Sequence, residues 1–322
     1  MAVNLLELHK NYNTQAKCLV LLKKLKWGKN ATCPKCASKS VRLVNPQSER
    51  YICSDCNFQF SIFTGTIFEG TLLKLPTWFQ IIGMMLNAKT SISAKEIQRN
   101  TGVTYKTAYY ACMRIRIGML MPETMLNGMI EMDESYFGGK ARKQNKSIPD
   151  NEPTLSSATN KRGRGTNKVS VVGMVERQGN VKTKVIEKLT KVNLLAMLKS
   201  NAVQEDSILI TDGFKSYAEL EKYIDRLVVN HNKQFSKGII HVNTIEGFWS
   251  IVKNGIKGSY RAISKKYLPL YLIEFEWKFN HRNYKGNELE KFLKNALSQE
   301  KELEYYKAQS SNQVKKISYG KQ

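Results

Sequence analysis

Residues 129–139, MIEMDESYFGG, set apolar Ile130 and Met132 in alternation with acidic Glu131 and Asp133 and end on two glycines. A period of two sends successive side chains to opposite faces, so this stretch predicts a strand with an apolar side and a carboxylate-bearing side. Similar short β-type runs follow: KVSVVGMVE (168–176), NVKTKVIEK (180–188), SILITDG (207–213) and RLVVNH (226–231). A helix-like run, LLAMLKSNAV (194–203), interrupts them, and helical segments come after. Strands first and helices interleaved later predict an α/β domain built on a mixed sheet.

Three carboxylates stand out within that pattern. Asp133 lies on the strand just described. Asp212 ends the apolar run SILITDG, where a charged residue is unusual unless the strand end borders a site. Glu246 lies in NTIEGFWSIVK, where Ile245, Phe248, Trp249 and Val252 recur at i, i+3, i+4 and i+7 and mark the buried stripe of a helix. Glu246 borders that stripe, and Lys253, two turns on, shares its face. Two aspartates at strand ends and a glutamate on a helix are the donors a hard ion such as Mg²⁺ needs, because carboxylates bind octahedral metals without stripping all their waters. Two such ions about 4 Å apart activate an attacking oxygen, from water or a DNA 3′-hydroxyl, and stabilise the departing one in phosphodiester exchange. Lys253 then positions a nearby phosphate. Taken singly, each acid reads as well as a solvated or salt-bridged carboxylate; it is the three together that point to a site. His241 and Asn243, shortly before Glu246, reach either the metal site or DNA, or serve only as hydrogen-bonding structural groups. Glu134 points to the face opposite Asp133 if the strand continues through it.

Upstream, residues 1 to about 30 read as helical (LLELHK, CLVLLKKLKW) and stop at Gly28. Cys33 and Cys36 in CPKC, then Cys53 and Cys56 in CSDC, form paired knuckles whose spacing offers four thiolates to one tetrahedral zinc ion. Lys35, Lys39, Arg42 and Arg50 surround these knuckles and suit a phosphate backbone, although such a ribbon also serves as a structural or protein-docking unit. The other two cysteines, Cys18 and Cys112, read as small buried apolar residues. After an apolar stretch around WFQIIGMML (78–86), Ser93 and Glu96 have capping-box spacing and open a short helix running to Asn100. Gly102 permits a turn, and Thr104 caps a second helix, TYKTAYYACMRIR. This is a helix-turn-helix pattern, with Ile97, Val103, Ala108 and Ala111 inward and Tyr105, Lys106, Thr107 and Tyr109 outward as a reading face for a major groove. The same helix-glycine-helix pattern also occurs in all-α cores.

The bulk properties agree with a nucleic-acid partner. The 322 residues are 42% hydrophobic, enough for a buried core, yet the formal charge is +24. Counterion release makes such a surplus useful on a polyphosphate surface. No apolar run approaches the roughly 20 residues that span a bilayer, and no signal-peptide pattern opens the chain. Close cysteine pairs in a chain this long argue for a reducing compartment rather than a disulfide scaffold. The polar segment 140–168 carries Lys161, Arg162 and Arg164 and reads as a basic loop over DNA, while its first half reads equally as a solvated insertion. The tail from 301 is polar and expected to fray.

The sequence resembles the IS1595-type insertion-sequence transposases, whose catalytic region is the ISXO2-like transposase domain. The resemblance runs through nearly the whole chain. It is carried by Cys18 and Trp27 ahead of CPKC, FSIFTGTIFEGTLLKLPTWF, SAKEIQRNTGVTYKTAYYACMRIR, DESYFGGK, RGRGT, TDGFKSY and the run HVNTIEGFWSIVKNGIKGSYRAISKKYLPLYLIEFEWKFNHRN. It implies a ribonuclease-H-like catalytic core and a DDE-type, Mg²⁺-dependent mechanism with two ions, which Mn²⁺ can replace. Asp133, Asp212 and Glu246 are then the metal-binding triad and Lys253 the trailing lysine. Some relatives place Asn or His where this chain has Glu246, and the acidic version is the more conventional metal ligand. The implied partners are terminal inverted repeats and target DNA, bound by a homodimer or larger assembly, with no membrane involved. The implied location is the cytoplasm, in association with the nucleoid. The expected divisions are an N-terminal helix and zinc ribbon (1–70), a helix-turn-helix region (71–125), a catalytic domain (126–300) and a polar tail (301–322).

Overall fold

The computed structural model describes residues 3–45, 49–122, 124–138, 168–229 and 241–298. Contacts divide the chain into two units: Met1–Pro122 with Gly258–Tyr260 and Leu270–Gln322, and Glu123–Lys257 with Arg261–Pro269. Residues 270–298, expected in the catalytic domain, thus group with the N-terminal unit.

The first unit starts with α1 (Leu5–Asn11) and α2 (Gln15–Trp27), and α2 ends where Gly28 takes a positive φ of 68°. Three short antiparallel strands follow, β1 (Val41–Asn45), β2 (Arg50–Cys53) and β3 (Gln59–Ser61), in the order β1-β2-β3. Trp27 packs edge-on to Tyr51, with ring centroids 5.1 Å apart, and Tyr51 stacks on Phe60 at 5.8 Å, so aromatic rings supply the core this small sheet otherwise lacks. The apolar run around residue 80 becomes α3 (Leu75–Asn87), with Trp78 and Phe79 fully buried.

Next come α4 (Ala94–Thr101) and α5 (Tyr105–Gly118). The Ser93 hydroxyl accepts the Glu96 N–H at 3.1 Å and the Thr104 hydroxyl accepts the Thr107 N–H at 3.2 Å, which satisfies amide groups that each helix start leaves open. Between the helices Gly102 adopts a left-handed conformation, φ 73°, which reverses the chain at little cost only because it has no Cβ. Ile97, Ala108 and Ala111 are buried and Val103 half-buried. Cys18 and Cys112 are buried thiols.

Later residues complete this unit. Part of α9 (Leu268–Asn280) and all of α10 (Glu288–Leu297) belong to it. Asn295 donates to the carbonyls of Gly118 and Leu120 at 2.7 Å each, satisfying acceptors left open at the end of α5. Arg116, 2% exposed, pairs with fully buried Glu274 at 2.8 Å; Tyr260 and Lys278 also donate to that carboxylate, at 2.8 and 2.6 Å. A buried ion pair is tolerable only when its remaining lone pairs are satisfied in this way.

The second unit is a five-stranded sheet of β4 (Leu126–Phe137), β5 (Val169–Glu176), β6 (Val181–Ile186), β7 (Ala202–Asp212) and β8 (Asp225–Val229), in the order β6-β5-β4-β7-β8. β4, β5 and β6 are antiparallel neighbours, while β7 pairs parallel to β4 and β8 parallel to β7. This is the ribonuclease-H-like arrangement, a mixed sheet in an α/β unit. On one face Ile130, Met132, Val172, Met174 and Leu209 pack with Leu194, Met197 and Leu198 of α6 (Lys191–Asn201) and with Tyr217 of α7 (Lys215–Ala218). The other face receives α8 (Asn243–Gly255), whose Ile245, Phe248, Trp249 and Val252 are buried as their spacing predicts. One boundary moves: LLAMLKSNAV reads as continuous helix, but α6 stops at Asn201, and Ala202 and Val203 already belong to β7. Two residues are too few for periodicity to separate helix from strand.

Candidate catalytic and metal sites

The sheet order puts two of the three predicted acids on neighbouring strands. Along the parallel β4–β7 pair, Met129 lies beside Ile208, Ile130 beside Leu209 and Glu131 beside Ile210. The paired register ends there; Asp133 follows two residues later on β4 and Asp212 two residues later on β7, where that strand ends. Asp212 Oδ1 accepts the Phe214 N–H at 3.0 Å, and its carbonyl accepts from Arg226 at 3.0 Å, so the turn leaving the strand is tied down on both sides. Glu246 extends from the first turn of α8 with its side chain exposed.

Burial pushes the Asp133 carboxyl up to about 7, and the negative charges of Glu134, Asp212 and Glu246 add to the rise. Asp133 thus feels the charge of both other predicted acids. The oxygens of the three are not drawn as tightly together as the ligands of a single ion; among the described residues only the four zinc-ribbon cysteines are. An all-oxygen donor set that repels itself suits a hard divalent cation, whose charge offsets that repulsion. Lys253 is exposed on α8, seven residues beyond Glu246.

What presses α8 onto the sheet is a glycine opposite the first acid. Gly173 on β5 pairs with Asp133 on β4, and a Cβ built on Gly173 would lie 2.6 Å from Trp249 Cζ2 and 3.0 Å from Ile245 Cδ1. Gly173→Ala is expected to lower stability by about 1–3 kcal/mol through overpacking, and to lift the helix that carries Glu246. Thermal denaturation checks this, and an unchanged midpoint would show that the helix is less closely seated.

Glu131 is the functional candidate that its sequence context did not disclose. It shares the Asp133 face of β4 and is fully buried. Arg177 Nε donates to its Oε1 at 2.7 Å, the Thr244 hydroxyl donates to the same oxygen at 2.9 Å, and the Ile245 N–H donates to Oε2 at 3.0 Å. His241 belongs to the same cluster: Arg177 Nη2 donates to its carbonyl at 2.8 Å and lies 3.1 Å from its Nδ1. Asn243 is exposed as the first residue of α8. On the opposite face of β4, Glu134 accepts the Tyr217 hydroxyl at 2.8 Å, which ties β4 to α7.

In the ribbon, the Sγ atoms of Cys33, Cys36, Cys53 and Cys56 all lie within 4.8 Å of one another, with Cys33–Cys56 at 3.6 Å and Cys36–Cys53 at 3.5 Å. Tetrahedral zinc with bonds near 2.3 Å separates its sulfurs by about 3.8 Å, so the four thiols fit that ion and are too far apart to be disulfides. Burial works to raise the Cys53 thiol, but the N–H groups of Cys56 and Asp55 and the thiols of Cys36 and Cys56 bring it down to about 7, while Cys36 and Cys56 are themselves raised, as expected of four thiols crowded around one metal position. Lys35, Lys39, Arg42 and Arg50 are exposed around the ribbon. On α5, Tyr105 and Lys106 are exposed, Thr107 and Tyr109 half-buried, and Lys95 Nζ lies 4.8 Å from the Tyr105 ring. Lys161, Arg162 and Arg164 lie outside the described residues, as does the segment 301–322. No described helix is long and apolar enough to cross a membrane.

A four-cysteine zinc ribbon in the same chain as a mixed-sheet α/β core that carries the predicted acids fits a DDE-type nucleic-acid-processing enzyme. The model of the ISXO2-like transposase domain matches residues 125–280, and that of the transposase zinc-ribbon domain matches residues 13–59. A protein in the transposable element ISH50 of Halobacterium salinarum is 28% identical over 299 residues, spanning 89% of this chain and 99% of that protein. A transposase-like protein of Haemophilus influenzae is 32% identical over 107 residues, 33% of this chain and 85% of that one. Among solved structures, the pre-cleavage Mos1 transpososome is similar over 67% of this chain and 76% of that one, at 12% identity and a TM-score of 0.27. The chain belongs to the ISXO2-like transposase family and is a transposase of an insertion sequence, with structural zinc in its ribbon.

Proposed function

We propose that this transposase binds the terminal inverted repeats of its insertion sequence, cuts DNA strands there and joins the freed 3′-hydroxyls to target DNA, with Mg²⁺ held by Asp133, Asp212 and Glu246. The observation that carries this reading is that Asp133, pushed up to about 7 by burial, also bears the charges of Asp212, at the end of the strand paired parallel to β4, and of Glu246 on α8. A pair of ions tolerates carboxylates spaced more widely than the ligands of one ion. When bound, the ions lower the pKa of the attacking oxygen and offset charge on the phosphate and the departing oxygen, and Mn²⁺ can take their place.

The protein's own groups supply orientation. Asp133 presents its oxygens from within β4, not from a strand end as the sequence suggested, Asp212 from the end of β7, and Glu246 closes the set from α8. Lys253, on the same helix face, holds a phosphate of the bound strand as a point charge. Tyr105, Lys106, Thr107 and Tyr109 on α5 present the base-reading surface. Lys35, Lys39, Arg42 and Arg50 of the ribbon, with Lys161, Arg162 and Arg164, grip the phosphate backbone, which fixes register more than it reads sequence. Two element ends have to be held together for joining, so the working form is a dimer or larger assembly on DNA, in the cytoplasm at the nucleoid.

The deciding experiment supplies the wild-type protein with a labelled terminal inverted repeat, a target plasmid and Mg²⁺. Covalently joined label in the plasmid is the expected result. Cut ends without joined product would make the protein a nuclease of the same chemistry and overturn the strand-transfer assignment.

A further inference from the structure

Glu131 has no place in the triad, yet it is the buried anion that fastens the glutamate-bearing helix to the strand of the first aspartate. Its side chain is fully buried while that of its partner Arg177 is 16% exposed. The two carboxylate oxygens have divided tasks. Oε1 takes Arg177 and the Thr244 hydroxyl, and Oε2 takes the backbone N–H of Ile245. Ile245 is in the first turn of α8, where amide groups have no partner within the helix and the helix dipole favours a negative charge. Glu246 is the next residue. Arg177 in turn holds the His241 carbonyl at 2.8 Å, so the chain entering α8 is clasped by the same cluster.

We infer that Glu131 is a positioning residue for the metal site: through Oε2 and the Ile245 N–H it fixes the first turn of α8, and so the placement of Glu246 relative to Asp133. This rests on the triad reading above. Glutamine cannot take over the task, because its NH₂ end accepts no hydrogen bond. Whichever way the amide turns, either Arg177 or the Ile245 N–H faces a donor.

The test measures Mn²⁺ binding by electron paramagnetic resonance titration of the full zinc-loaded protein, with folding followed by circular dichroism. Asp133→Asn, which probes the triad itself, is expected to abolish binding. Glu131→Gln is expected to stay folded and to weaken binding about ten- to a hundredfold, the usual cost of disturbing groups that orient metal ligands. If Glu131→Gln does not fold, the paired change Glu131→Leu with Arg177→Leu removes both buried charges together, which proteins often tolerate, and still deletes the anchor. The same weakening is expected of that pair. Wild-type Mn²⁺ affinity in a folded Glu131 variant, with Asp133→Asn inactive in binding, overturns the inference and leaves the triad standing. Wild-type affinity in Asp133→Asn instead removes the triad reading and this inference with it. Failure of both Glu131 variants to fold makes the residue a structural prop and also overturns the inference.

Discussion

Asp212→Asn is expected to reduce Mg²⁺-dependent joining of terminal inverted repeats by at least about 10³-fold, roughly 4 kcal/mol of transition-state stabilisation, while the protein melts within a few degrees of the wild type. The substitution preserves shape and removes charge. The Phe214 N–H that now donates to Asp212 Oδ1 can donate to the amide oxygen instead, and the Asp212 carbonyl still accepts from Arg226, so the turn after β7 survives. What is lost is one anionic group of the proposed metal-binding set. Loss of that neighbouring charge also eases the repulsion that raises Asp133, so the variant should be no less stable at neutral pH. DNA end binding, proposed to rest on α5 and the ribbon, should stay within a few-fold of the wild type. A variant that joins ends as well as the wild type would show that Asp212 is only a strand-end carboxylate.

The residues differ in how openly the sequence announced them. Asp133 and Asp212 were legible because each breaks a local rule: a carboxylate on the inward face of a strand, or one ending an apolar run, is costly unless a site or partner awaits it. Glu246 was legible for the complementary reason, since the stripe of Ile245, Phe248, Trp249 and Val252 defines a helix and leaves the glutamate at its border. Glu131 breaks the same rule as Asp133, two residues earlier on the same face, and that was its only signal. Its partners are Arg177, 46 positions along the chain, and Thr244, 113 positions along, and no local period reports such a separation.

The charge surplus was legible as a total but not in its distribution. Arg114 and Arg116 add to the total charge, yet both are buried, and Arg116 serves Glu274, 158 positions away. Helical periodicity places a residue on a face; it does not say whether another helix covers that face. The return of residues 270–298 to the first unit is the same limitation at a larger scale. LPLYLIEFEWKF reads as helix from the sequence, but which core it and the following α10 complete is decided by partners far back in the chain, Arg116 of α5 for Glu274 and the helices α2, α3 and α5 for α10.

Removing zinc should separate the functions of the two units. Structural zinc contributes about 10–16 kcal/mol to folding in small zinc modules, and the ribbon's own core here amounts to Trp27, Tyr51, Phe58 and Phe60 around the cysteines. That core is too small to hold three short strands alone. Chelation of the full chain is therefore expected to abolish amide protection across residues 31–61, while β4–β8 keep theirs, because the second unit draws its stability from the Ile130, Met132, Leu209 and Leu198 cluster. Binding to the inverted repeat should weaken at least about tenfold, as the phosphate contacts proposed for Lys35, Lys39, Arg42 and Arg50 lose their scaffold. Hydrogen exchange read by mass spectrometry follows both regions in one sample, and re-addition of zinc should restore protection and affinity together. Equal loss of protection in the ribbon and in β4–β8 would mean that zinc stabilises the whole chain. Lost ribbon protection with undiminished DNA affinity would instead leave α5 to bind the ends without the ribbon.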